Sequence, residues 1–274
     1  TGNQSVSITE AGTLNLRSVS FPGAGGTNGT FTATSVNGDI IDTGLGGVKP
    51  AGTVASPGFG VITLAAVNGN IVLDDPTTDL PSTSGVAFNA KNVTLSVLGN
   101  PGSALVLGAN NVTSTASGNL TATSALGNIG NAGPITVGGL ATFQTGNGNI
   151  SIANPNVGFG SLRFIGNQVN INEAGNTDIL TGSTAYGSAQ IVSGGAINIV
   201  DQGGVVSFGN TVNMQAAGNI TLSKLQAVGT ITVVSPGTKN LSALSLSADL
   251  NSKTPVDSGT GPGPSTDATL APKP

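Results

Sequence analysis

The chain contains no histidine, no cysteine and no tryptophan, and of its 274 residues only 8 are basic and 12 acidic. Each absence removes a class of chemistry. Without imidazole or thiol there is no Ser-His-Asp or Cys-His nucleophile and no zinc site of the His/Cys type. A net charge of −4 with scattered cations cannot displace counterions from a phosphate backbone, which argues against nucleic acid as a partner. No apolar run approaches the roughly 18 residues that a helix needs to cross a bilayer, so no membrane insertion of that kind is expected. Absent cysteine is compatible with secretion. The chain starts at Thr1 with nothing resembling a signal peptide, which reads as a processed chain or an excised segment.

What is abundant is glycine, 43 residues, on a background that is 37% hydrophobic. Apolar clusters recur along residues 1–248, which argues for a folded core there rather than a linker. No stretch keeps apolar residues at helical spacing for long. Short strands fit instead. Val6 and Ile8, Leu14 and Leu16, Ile62 and Leu64, Ile71 and Leu73, Val93 and Leu95, Ile150 and Ile152, Val169 and Ile171, Ile197 and Ile199, Ile220 and Leu222, and Ile231 and Val233 are apolar pairs two apart, the spacing that sends both side chains to one face of a strand. Between them stand Asn37-Gly38, Asn68-Gly69, Gly118-Asn119, Gly127-Asn128, Gly148-Asn149, Gly194-Gly195 and Gly218-Asn219, residue types suited to sharp corners.

Hairpins and coils share such corners; the repeat decides between them. Gly38-Asp39-Ile40 returns as Gly195-Ala196-Ile197 and loosely as Gly127-Asn128-Ile129, and Ile8-Thr9-Glu10-Ala11-Gly12 returns as Ile171-Asn172-Glu173-Ala174-Gly175. Ile40 to Ile71 is 31 residues, Ile71 to Val93 is 22, Ile129 to Ile150 is 21, Ile150 to Val169 is 19 and Ile197 to Ile220 is 23. These lengths suit one coil of a β-solenoid. The expected fold is therefore all-β, a parallel β-helix over residues 1–248 with coils of roughly 20–30 residues, each burying its neighbour's inward side chains. Stacking also explains the scarce charge: equivalent positions lie about 4.8 Å apart along the axis, where like charges repel and Thr, Ser and Asn ladders do not.

Residues 249–274 break the pattern, with Pro255, Pro262, Pro264, Pro272 and Pro274. They read as an extended tail that cannot supply interior ladder hydrogen bonds, and a neighbouring subunit is the expected docking partner.

Few residues are placed for chemistry. Asp74, Asp75 and Asp79 form the one tight acidic group and are the candidate calcium ligands, weighed against a solvated loop turned by Pro76. Asp39, Asp42, Glu173 and Asp201 are spread too thinly to nominate an acid/base pair for glycoside chemistry, and no catalytic residue, cofactor or enzyme activity is expected. Eight Asn-x-Ser/Thr sequons occur, at Asn3, Asn28, Asn92, Asn111, Asn119, Asn149, Asn219 and Asn240; a corner Asn followed by an apolar residue and Thr is the repeat itself, so the coil explains them without glycans. Phe143, Phe164 and Phe208 lie in strand patterns and are expected in the core. Arg17, Lys49, Lys91, Arg163, Lys224, Lys239, Lys253 and Lys273 form no run and read as isolated surface charges.

The stretch from Gly133 to Leu222, with Ala141-Thr142-Phe143 ahead of Gly148-Asn149-Ile150-Ser151-Ile152, resembles the repeats of filamentous-haemagglutinin-like exoproteins, which are secreted bacterial surface proteins. The resemblance implies a right-handed parallel β-helix exported to the cell surface. It departs from that family in length and in the place of Asn154-Pro155-Asn156-Val157, a secretion-domain type of motif that here is mid-chain and reads as a coil corner.

No amphipathic capping helix is legible beside Val6-Ile8 or Leu246. Open coils stack on other coils, so the leading expectation is a structural subunit of an extracellular filament or sheath, a homopolymer of identical subunits joined head to tail. The alternatives are an adhesin or passenger segment with a cell-surface or polysaccharide ligand and, behind it, a carbohydrate-active β-helix enzyme.

Overall fold

A computed structural model of the chain describes residues 5–16, 18–22, 30–41, 47–51, 61–68, 71–73, 86–97, 104–108, 113–154, 156–236, 239–243 and 268–270. The fold is all-β, a β-solenoid of about eight turns built from stacked parallel strands. No helix among the described residues is long and apolar enough to cross a membrane. The described residues group into two compact units, Thr1–Asn149 and Ile150–Pro274.

In the first unit one parallel ladder runs through Ser5–Glu10, Thr30–Ser35, Val61–Ala66, Val86–Ala90, Ser114–Ala116 and the opening of Ile135–Thr145. A second runs through Leu14–Asn15, Ile40–Ile41, Ile71–Leu73, Val93–Val97, Leu120–Ser124 and the close of Ile135–Thr145. Leu105–Leu107 pairs with Ile129–Asn131, and Ser18–Pro22 pairs with Gly47–Ala51.

In the second unit the ladders are Ile150–Ile152, Val169–Glu173, Ala189–Ser193, Val212–Ala216 and Ile231–Val234; Thr177–Leu180, Ile197–Val200, Ile220–Ser223 and Lys239–Ala243; and Thr184–Ala185, Val206–Phe208 and Leu225–Ala227. Ile40 stands beside Ile71, Ile71 beside Val93, Ile150 beside Val169 and Ile197 beside Ile220. The spacings of 31, 22, 19 and 23 residues are thus coil lengths, and the parallel register excludes hairpins.

Alternation along each strand sends every second side chain inward, and parallel register stacks like on like. Ile171, Ile191 and Met214 form one such column, each fully buried, and each contributes about 1.5–3 kcal/mol by leaving water. Phe143, Phe164 and Phe208 are interior as expected, the last two with ring centroids 6.2 Å apart. Polar side chains bridge coils on the outward face. Asn198 Nδ2 donates to Asp178 Oδ1 one coil away at 2.8 Å, and the Ser188 and Thr211 hydroxyls lie 3.0 Å apart.

The Gly-Asn corners have a specific cause. Asn92 Oδ1 accepts the N–H of Asn119 in the next coil at 2.9 Å, and Asn119 Oδ1 accepts the N–H of Leu140 at 2.9 Å. Asn128 does the same for Asn149 and Asn176 for Ala196. The accepting oxygen occupies the space that a Cβ on the preceding residue of the next coil would need: one on Gly118, Gly139 or Gly195 would overlap Asn92, Asn119 or Asn176 Oδ1 respectively. At these corners the asparagine oxygen reaches the next coil because glycine leaves room above it.

Candidate functional site

The corners are also where the interior admits polar atoms. Ser35 Oγ lies 2.7 Å from the carbonyl oxygens of both Gly12 and Gly38, so its proton serves either. Ser193 Oγ repeats this with Gly175 and Ala196 at 2.7 and 3.0 Å, and Thr145 Oγ1 donates to Gly148 O at 2.7 Å. One hydroxyl per corner satisfies carbonyls that a bare turn would leave buried and unpaired.

Glu173 breaks this rule. It stands in register with Ser193 yet carries a carboxyl into the corner, and it is 2% exposed. Oε1 accepts the Phe159 N–H at 2.7 Å, tying the start of the Val157–Gly166 strand to its neighbour; the adjacent Ala174 N–H bonds to Val157 O at 2.8 Å. Neither Oε2 nor the buried Thr177 hydroxyl makes a well-formed hydrogen bond among the described residues, but the hydroxyl lies near enough to the carboxyl to favour its ionised form. Burial pushes the carboxyl up to about 7; the Phe159 N–H and Thr177 oppose that rise and the charge of Asp178 adds to it. A carboxyl in this range can carry a proton near neutrality, but one sealed from solvent holds backbone rather than substrate.

Lys224 is not the isolated charge expected from the sequence. It sits at a sharp corner with φ 50° and its Nζ meets Asp201 Oδ2 at 2.5 Å. The ion pair, helped by the Gly203 N–H, lowers the Asp201 carboxyl. Both side chains are close to half exposed, so the pair contributes little to stability. The two residues are 23 apart, the same offset as between the register partners Ile197 and Ile220 one coil apart, and that spacing was the signal available for finding the pair.

The strand edges carry the most consequential geometry. Ser5–Glu10 pairs with Thr30–Ser35 only, and Leu14–Asn15 with Ile40–Ile41 only, among the described residues. Their inward Val6, Ile8 and Leu14 remain partly exposed, whereas Ala33 and Ile40, their neighbours one coil on, are fully buried. In the second unit Ile231–Val234 is paired on both sides, parallel to Val212–Ala216 and antiparallel to Ala268–Leu270 of the tail. The tail strand therefore docks within its own chain.

The other sequence candidates divide simply. Asp74, Asp75 and Asp79 lie outside the described residues, as do Asp42 and the sequon asparagines Asn3, Asn28 and Asn111. Asn92 and Asn119 are ladder acceptors, as the coil reading required. Asn154 Oδ1 accepts the Asn156 N–H at 3.1 Å, a turn at the expected corner. Asp39, Glu173 and Asp201 are not brought together, and no group of three or more acids among the described residues could hold a metal ion.

Residues 90–162 match a family described as repeats of unknown function (DUF5649). The match supports the repeat character and assigns no activity. No curated protein and no solved structure matches the chain.

Proposed function

We propose that the protein is a non-catalytic structural subunit of an extracellular filament or sheath, extended by end-to-end stacking of identical copies. The observation that carries this reading is the edge at Ser5–Glu10, whose described pairing is with Thr30–Ser35 alone and whose inward Val6 and Ile8 remain partly exposed. Such an edge is a template for one more parallel coil. Extracellular placement is supported by the likeness of Gly133–Leu222 to secreted surface exoproteins and by a surface ladder of neutral Thr, Ser and Asn.

The purified chain should form long particles in negative stain, with a meridional repeat of about 4.8 Å in fibre diffraction. Sedimentation that does not change with concentration, with globular particles on the grid, would defeat the reading. A second one is favoured by the match to a repeat family: the same edge is taken in cis by further coils of a longer adhesin-like surface protein. A monomeric chain that associates only when joined to such coils would select it.

A further inference from the structure

The strand Ser5–Glu10 opens a seven-residue segment, Val6-Ser7-Ile8-Thr9-Glu10-Ala11-Gly12, that repeats Val169-Asn170-Ile171-Asn172-Glu173-Ala174-Gly175 at the same spacing of Val, Ile, Glu, Ala and Gly. The second copy of the segment rests on Ile150-Ser151-Ile152, with Val169 beside Ile150 and Ile171 beside Ile152. Ile231-Thr232-Val233, the last parallel strand of its ladder, has the same apolar-polar-apolar form with both apolar residues inward and buried. Just beyond it Ser235 is a buried corner hydroxyl bonded to Gly218 O.

This edge is occupied. Ala268–Leu270 pairs along it with Ile231 beside Leu270, Thr232 beside Thr269 and Val233 beside Ala268, and the pairing is antiparallel where all the other described ladders are parallel. The flanking strands Leu225–Ala227 and Lys239–Ala243 have no partner on that side among the described residues. A three-residue strand followed in sequence by Pro272, Lys273 and Pro274 is a poor template for further pairing, which is how natural edges are protected. It belongs to the same chain as the edge it covers, so it competes for that edge intramolecularly while contributing few hydrogen bonds.

We propose that the Ile231–Val234 edge is the surface that receives Ser5–Glu10 of a second copy, Val6 over Ile231 and Ile8 over Val233, and that the tail strand covers it until displaced. This rests on the end-to-end reading above. Ala268→Pro with Leu270→Pro removes the tail strand's pairing and leaves the coils untouched. In sedimentation the double variant should associate at about tenfold lower concentration than the wild type, and a synthetic Ser265–Ala271 peptide added in trans should push the onset back. Ile8→Lys added to the double variant should abolish association, with hydrogen exchange at Ile171 and Ile191 confirming intact coils. If wild type and double variant associate at the same concentration, the cover is refuted while end-to-end stacking stands. If association survives Ile8→Lys, the assigned strand is wrong. If neither protein associates, the end-to-end reading fails and this proposal falls with it.

Discussion

Val6–Gly12 and Val169–Gly175 are nearly the same peptide in two environments. Glu10 is exposed, and its Oε1 accepts the Ala11 N–H at 3.1 Å. Glu173 is buried and binds the Phe159 N–H across the corner. Both point toward the coil interior by strand parity, and both stand beside a serine of the following coil. The difference is what lies on the other side: nothing among the described residues adjoins Ser5–Glu10 there, while Ile150–Ile152 and the Val157–Phe159 backbone adjoin Val169–Glu173. Burial in a solenoid is set by the neighbouring coil, so a strand's sequence specifies its partner's shape before it specifies its own exposure.

The corner above each segment offers the strongest way to break this comparison. Val36 N–H bonds to Glu10 O at 2.9 Å, and Gly194 N–H bonds to Glu173 O at 2.8 Å, so Val and Gly fill one structural position. A Cβ on Gly194 would overlap the Ala174 carbonyl oxygen, which is backbone and cannot swing away. Gly194→Val should therefore cost about 3 kcal/mol in urea unfolding, whereas Val36→Gly should cost about 1 kcal/mol or less. Equal losses would mean that the Ala174 carbonyl does not constrain position 194 as described.

Of similar size is the pH response of Glu173. Its carboxyl ionises near 7 in the folded chain and near 4.5 when free, so between those values the folded state holds the proton that the unfolded state has released. Stability from this group is complete below about pH 4.5, falls as pH rises, and levels off above about pH 7 with a loss of about 3 kcal/mol. Glu173→Gln keeps an oxygen for the Phe159 N–H and cannot ionise. The variant should match the wild type near pH 5 and exceed it near pH 8 by a midpoint shift in urea. A wild type equally stable at both values would show that the carboxyl is not trapped as described.

Coil lengths were legible because inward Val and Ile must stack in register, so Ile71-to-Val93 and Ile150-to-Val169 report the repeat directly. Gly-Asn corners were legible for a related reason, since glycine and asparagine act as a pair across two coils. Glu173 was not. Its peptide reads the same as the one around Glu10, and exposure depends on a coil whose position the local sequence does not encode. The tail strand was hidden as well, because an edge strand of three residues leaves no periodicity among the prolines. Asp201 and Lys224 were legible in principle from the 23-residue coil that carries them.

The smallest expected effect is the sharpest control on the comparison. Gly12 and Gly175 close the two segments, and a Cβ on either meets nothing within 4 Å. Gly12→Ala and Gly175→Ala should each change stability by no more than about 0.5 kcal/mol, since open space and an ordinary backbone remove both the steric and the conformational reason for glycine. Glu10→Gln should be equally mild in a dilute, unassociated sample, because a glutamine oxygen can still accept the Ala11 N–H. If Glu10→Gln instead altered the unfolding midpoint as much as Glu173→Gln does, Glu10 would already be covered in solution, and the cover on Ser5–Glu10 would have to come from a second copy.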